Sequence, residues 1–171
     1  MILWHAGLAT FLVYATLGRR RIDYRYILAG AVLPDVVDGV LNLAWLHEPA
    51  GRSVAHSLLA VNVVAVVVLV GLRGERRLAV FGLAVGWLLH LVGDGMWQAP
   101  RTFYWPAFGS DFATRPPEPY AWDLLGHPFD HALTWGGELL GLAILAWFWI
   151  AFRLGERGRR RLFLGDGYLR P

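Results

Sequence analysis

The sequence predicts an all-α fold, a polytopic membrane helical bundle of about five transmembrane or re-entrant helices. Three observations carry that expectation. Hydrophobic residues make up 56% of the 171 positions against 17% charged, with a mean hydropathy of +0.43, which is too apolar for a water-soluble domain of this length. The apolar residues fall into five runs, roughly 2–18, 26–46, 56–72, 78–97 and 133–152. The sixteen basic residues, all Arg, gather mainly in three short clusters between or after those runs.

The first run carries His5 near its start and is short for a full crossing, as is the third, so tilt or a re-entrant path is expected. Arg19, Arg20, Arg21 and Arg25 separate it from the second run. There, Pro34 removes a backbone donor and disfavours helical geometry at Leu33, which predicts a kink or break. Ser53, three residues before His56, reads as an N-cap that places His56 in the first helical turn of the third run. Arg73, Arg76 and Arg77 precede the fourth run, Leu78 to Trp97, where His90 and Asp94 are four apart and share one helix face. The Pro- and aromatic-rich stretch from Gln98 to Ala132 is expected to lie along the outer interface. Glu138 enters the fifth run near its start, and Trp147, Phe148, Trp149 and Phe152 further along read as lipid-facing or packed surface. Arg153, Arg157 and Arg159 to Arg161 follow.

The positive-inside rule assigns all three Arg clusters to the cytoplasm, which requires an odd number of crossings with the N-terminus outside; five satisfy it. The expected organisation is a membrane-embedded domain, 1–154, in the plasma (inner) membrane, and a solvated basic cytoplasmic tail, 155–171, attracted to anionic lipid. Trp4, Trp45, Trp97, Trp105, Trp122 and Trp135 fall near run ends, where indole favours the interface. A pI near 9.7 reflects the topology clusters, so no nucleic-acid partner is expected. No cleavable signal peptide is expected either, since no basic n-region precedes the first run.

Ionisable residues inside apolar runs are costly, about 2.5–3.5 kcal/mol for a charge at the bilayer centre, and therefore need partners. With the predicted topology and 1.5 Å per residue, His90 and Asp94 lie about 10 and 5 Å from the outer boundary, and Asp35 and Asp38 about 16 and 12 Å. His5, His56 and Glu138 also fall on the outer side. A lone interfacial His is most often an ordinary polar end, and an i, i+4 His/Asp pair is often only hydrogen-bonded. Co-location of residues from separate runs at one depth argues instead for a metal site of His5, Asp35, His56, His90 and Asp94, joined by Asp38 and Glu138 in its fullest form. The chain has no Cys, so imidazole and carboxylate are the available ligands, which suits Zn or Mn/Fe, one or two ions, with Asp94 as the bridge. His47, His127 and His131 fall in external loops, where the default is solvent exposure; the HPFDH stretch, 127–131, offers further ligands.

The string Leu33-Pro34-Asp35-Val36-Val37-Asp38, Gly51-Arg52-Ser53-Val54-Ala55-His56-Ser57, His90-Leu91-Val92-Gly93-Asp94, then Trp97, Pro100, Trp105-Pro106 and Glu138-Leu139-Leu140-Gly141, resembles the YdjM-like inner-membrane proteins. That resemblance implies a metal-dependent hydrolase. The chain departs from the family pattern at Gly51, where many members have His, and at Gly39, where Lys is frequent. The order His, Asp, His, HxxxD is also similar to that of zinc-dependent phospholipase C and P1-type nucleases, which implies ligand roles for His5, Asp35, His56, His90 and Asp94. No HxxxE follows Asp94, so a three-ion cluster is not expected.

The leading expectation is a hydrolase acting on an ester, foremost a phosphoester of a lipid or envelope precursor, at a site facing the outer leaflet. The ion would lower the pKa of water toward about 7, Asp38 or Glu138 would take the proton, and Arg52 would hold a phosphate oxygen. Membrane lipid and a lipid-like substrate are the expected partners. Two alternatives come from other classes: a transporter or ion/proton pathway built on the same carboxylates, and a non-catalytic scaffold in which the metal ties helices together.

Overall fold

In the computed structural model, residues 1–17, 22–41, 52–112 and 131–170 are described. Among them the chain forms seven α-helices and two 3-10 turns, with no strand. The helices are α1 (Ile2–Leu17), α2 (Tyr24–Leu41), α3 (Leu58–Gly71), α4 (Gly74–Gly93), α5 (Pro100–Phe103), α6 (Ala132–Ala151) and α7 (Arg157–Asp166). The 3-10 turns, Val54–His56 and Met96–Gln98, precede α3 and follow α4. The five predicted runs thus correspond to α1, α2, α3, α4 and α6. The fourth is displaced about one turn toward the N-terminus of its run, because Gly95 adopts a left-handed conformation (φ 62°) and ends the helix.

Inter-helix contacts fix the direction of each helix. Ile27 and Ala31 of α2 lie against Gly86 of α4, and Gly30 lies against Leu83 and Trp87, so these two helices run parallel. His5 of α1 lies against Gly93 at the far end of α4, so α1 runs the other way. In α6, Gly141 meets Leu3 and Gly7, while Phe148 meets Tyr14, so α6 runs with α1. α3 starts beside the end of α4, where Trp87 bonds to Ala55, and finishes at its beginning, so successive long helices alternate, and the starts of α1 and α6 share one end of the molecule with the finish of α2 and α4.

Close approach is possible because the seams carry glycine. A Cβ on Gly30 would stand 2.0 Å from the Leu83 carbonyl oxygen, and one on Gly86 would stand 2.2 Å from that of Ile27. On the α1–α6 seam a Cβ at Gly141 would lie 2.1 Å from the Leu3 carbonyl oxygen. Gly82 and Gly86, and Gly137 and Gly141, are small residues four apart, the spacing that lets helix backbones meet where lipid offers no hydrophobic drive for association.

The outward surface is apolar. Val66, Val67 and Val70 of α3 and Leu133, Leu139, Leu142 and Ile150 of α6 are all exposed, whereas His5, Asp38, His56 and His90 are buried. Polar inside and greasy outside is the distribution expected of a chain surrounded by lipid. Two helices, Gly74–Gly93 and Ala132–Ala151, are long and apolar enough to cross a membrane. The predicted aromatic stripe divides: Phe148 and Phe152 are buried, while Trp147 and Trp149 are half exposed.

Three local expectations are corrected. Pro34 does not break its helix; α2 runs through it, with the ring buried. The Ala31 carbonyl accepts from His90 Nδ1 at 2.8 Å. Ser53 is the N-cap residue of the 3-10 turn that holds His56, but its Oγ donates to Asp38 instead of capping, and α3 itself is capped by Ser57, whose Oγ accepts from Ala60 N. The segment after 155 is not merely solvated. It forms α7 and packs Phe163 and Leu169 against Tyr24, Val13, Phe148 and Phe152. Arg25 Nη1 donates to the Leu164 carbonyl at 2.6 Å, and Tyr24 N donates to that of Gly167 at 3.0 Å.

Candidate metal centre

Four elements deliver the candidate residues to one place. α1 contributes His5 from its first turns, α2 contributes Asp35 and Asp38, the 3-10 turn contributes His56, and the end of α4 contributes His90 with Asp94 as its C-cap. Trp87 Nε1 donates to the Ala55 carbonyl at 2.7 Å and so ties the 3-10 turn to α4.

The tautomers of the two central rings follow from their outer partners. A carbonyl can only accept, so His90 Nδ1 carries the proton it gives to Ala31. His56 Nδ1 faces the Asp38 carboxylate at 2.7 Å and likewise donates. Asp38 is saturated by this role: Ser53 N, Ser53 Oγ and Ala55 N also donate to it, at 2.6, 2.7 and 2.9 Å. With both Nδ1 protons directed outward, the two rings turn their Nε2 atoms to each other across 3.1 Å. Neutral rings in this pose oppose their lone pairs, and a cation between them removes the conflict.

Carboxylates complete the cluster. Asp35 Oδ1 lies 3.4 Å from His56 Nε2 and 3.5 Å from His90 Nε2. Asp94 Oδ2 lies 3.4 and 3.5 Å from the same two atoms, is buried, and has no hydrogen-bond partner. Ligands at about 2.0–2.1 Å from a tetrahedral ion stand about 3.3–3.4 Å apart. The separations of 3.1 to 3.5 Å between the two Nε2 atoms, and from each of them to Asp35 Oδ1 and to Asp94 Oδ2, match that spacing. The residues therefore fit a divalent cation, and the orphaned Asp94 oxygen is what a ligand looks like when only its protein partners are counted. His5 Nε2 sits 3.2 Å from the other Asp94 oxygen, with its ring 3.9 Å from that of His90. Arg52 Nη2 sits 2.6 Å from that same oxygen.

All five predicted ligands are thus brought together, in two overlapping groups: His5, His90 and Asp94, and Asp35, His56 and His90. Glu138 is not among them. α6 packs on the first turn of α1, so Glu138 meets Leu3 N at 2.9 Å and satisfies a donor at that helix start. Asp38 stands behind His56, with its oxygens already engaged, and Arg52 meets a carboxylate within the cluster. His131 stands just before α6, away from the two groups, while His47 and His127 lie outside the described residues. Sequence reasoning missed the Ala31 carbonyl and Ser53 as supports, as well as the Arg52–Asp94 contact. The glycine spacing on α4 was the one signal that could have placed Ala31 beside His90.

A helical protein that is apolar outside and gathers imidazoles and carboxylates at one end defines a class: membrane proteins with a buried polar centre able to hold a metal ion. The model of the YdjM inner membrane protein family matches residues 2–160, and the chain belongs to that family. Comparison with curated proteins and with solved structures finds no match.

Proposed function

We propose that this inner membrane protein is a metal-dependent hydrolase acting on an ester, foremost a phosphoester of a lipid or envelope precursor. The observation that carries the reading is the facing pair of Nε2 atoms, 3.1 Å apart and flanked by two carboxylates. Zinc is the ion best suited to four N/O ligands at this spacing, and when bound it polarises the ester and activates water. His56, His90 and Asp94 form a buried floor, while the Asp35 side chain is 34% exposed and stands at the mouth. Asp35 is therefore the carboxylate placed to accept a proton from incoming water. Arg52 brings positive charge to the edge of the cluster, where an anionic ester oxygen would arrive. Asp38 orients His56 instead of taking the proton.

The topology belongs to the same proposal: α1, α2, α3, α4 and α6 cross or enter the bilayer, with the N-terminus and the metal centre on the outer side. The alternating helix directions support it, as does the hydrogen bond that places Arg25 beside α7, which carries Arg157 and Arg159 to Arg161. A through-going ion pathway is disfavoured, because Ala9, Val13 and Ile27 pack the interior between the cluster and the Arg-rich end. The scaffold reading keeps one supporting observation: four protein ligands can close a tetrahedron, as structural sites do.

Metal analysis and turnover on the same preparations separate these readings. Wild type purified without chelator should carry a divalent transition metal and hydrolyse a phosphoester lipid, and His90→Ala and Asp94→Ala should lose both. A metal-free wild type removes the proposal. Bound metal with no turnover, and only a lowered melting temperature in the ligand variants, leaves the scaffold.

A further inference from the structure

The metal reading above leaves the number of ions open, and the charges around Asp94 decide it. We infer that the centre takes one divalent ion, and that the Arg52 guanidinium occupies the place of a second cation, with Asp94 bridging the two. This inference rests on the proposed metal site and adds a stoichiometry and a role for Arg52.

The two oxygens of Asp94 face different partners. Oδ2 points at His56 Nε2 and His90 Nε2, at 3.4 and 3.5 Å, and has no hydrogen bond. Oδ1 is held by Arg52 Nη2 at 2.6 Å and approached by His5 Nε2 at 3.2 Å. A carboxylate bridging two ions presents one oxygen to each, and here a guanidinium already stands on the second side. The two possible ligand groups also share His90, whose Nδ1 is given to the Ala31 carbonyl, and the remaining Nε2 has one lone pair to give. Both groups cannot be filled at once.

Charge balance agrees. Among the described residues, Asp35, Asp38 and Asp94 bring three negative charges to the cluster, and a histidine that ligates through Nε2 is neutral. Arg52 and one divalent ion balance them. A second divalent ion would leave two uncompensated positive charges among largely buried groups, where water cannot offset them.

The test is a titration of chelator-stripped full-length protein in detergent with Zn²⁺ or Mn²⁺, read by calorimetry and by metal content after desalting. Wild type should bind one ion per chain. Arg52→Met should admit a second, weaker ion at Asp94 Oδ1 and His5, and Arg52→Lys, which keeps the charge, should return to one. Circular dichroism confirms that each variant is helical. Two ions per wild-type chain would overturn the inference, as would an Arg52→Met protein that still binds one ion with wild-type affinity. No ion in wild type would instead remove the metal reading beneath it.

Discussion

Asp38 organises the turn that carries His56. Its carboxylate takes four donors, two from Ser53 and one each from Ala55 and His56, and so sets both the backbone of the turn and the tautomer of the ring. Asp38→Asn keeps the volume but turns an amide N–H₂ toward His56 Nδ1, which favours the proton on Nε2 and blocks ligation. Ion affinity should then fall about 10–100-fold, with imidazole ¹⁵N shifts reporting the changed tautomer; Ser53→Ala, which removes one hydroxyl, should leave the tautomer as it is. The five clustered residues were legible because His and Asp in apolar runs need a shared reason to be there. The roles of Asp38, Arg52 and Glu138 were not, because the difference between a ligand, a support behind it and a distant helix cap is a matter of a few ångströms between elements far apart in sequence.

The helices follow directly from the apolar runs, which is why α1, α2, α3, α4 and α6 were readable to within about a turn. What the runs do not reveal is how closely two backbones approach. Gly86→Ala would drive a Cβ to 2.2 Å from the Ile27 carbonyl oxygen and Gly141→Ala one to 2.1 Å from that of Leu3. Each should cost about 1–3 kcal/mol or more, seen as a lower melting temperature in detergent. Gly136→Ala, on the same helix as Gly141, meets nothing within 4 Å and should be close to neutral. α7 escaped prediction because its docking relies on backbone hydrogen bonds to Tyr24 and Arg25 rather than on an apolar period. Asp166 helps hold the end of α7 by pairing with Arg170 and accepting from Tyr168 N. Hydrogen bonding from Arg170 keeps its carboxyl below the usual range. Because the folded-state value is lowered, this contribution is present above the ordinary carboxylate pKa and is lost as pH falls through the folded-state value. The protection of α7 amides, taken relative to the intrinsic exchange rate at each pH, should therefore fall on acidification, and Asp166→Asn should show the lower protection already at neutral pH.

At the scale of the whole molecule, the polar centre lies at the opposite end of an apolar body from Arg25 at the start of α2, Arg76 and Arg77 at the start of α4, and α7. That arrangement predicts the orientation in the membrane, and the absence of native Cys makes it simple to measure. In right-side-out vesicles, Ser110→Cys should react with an impermeant maleimide at once, and Gly158→Cys only after the membrane is opened. The reverse pattern would place the centre in the cytoplasmic leaflet. The same arrangement explains why fold class was easier to read than function: composition and charge patterning report the solvent, whereas activity depends on what enters at Asp35.

The central claim is that His56 and His90, with Asp35 and Asp94, surround one cation. X-ray absorption at the edge of the ion that co-purifies with wild type tests it most directly. The account predicts about four N/O neighbours at about 2.0–2.1 Å, with the outer-shell scattering of two imidazole rings, and no such signal from His90→Ala, which should not retain the ion. An ion without imidazole scattering, or a spectrum unchanged by His90→Ala, would contradict it.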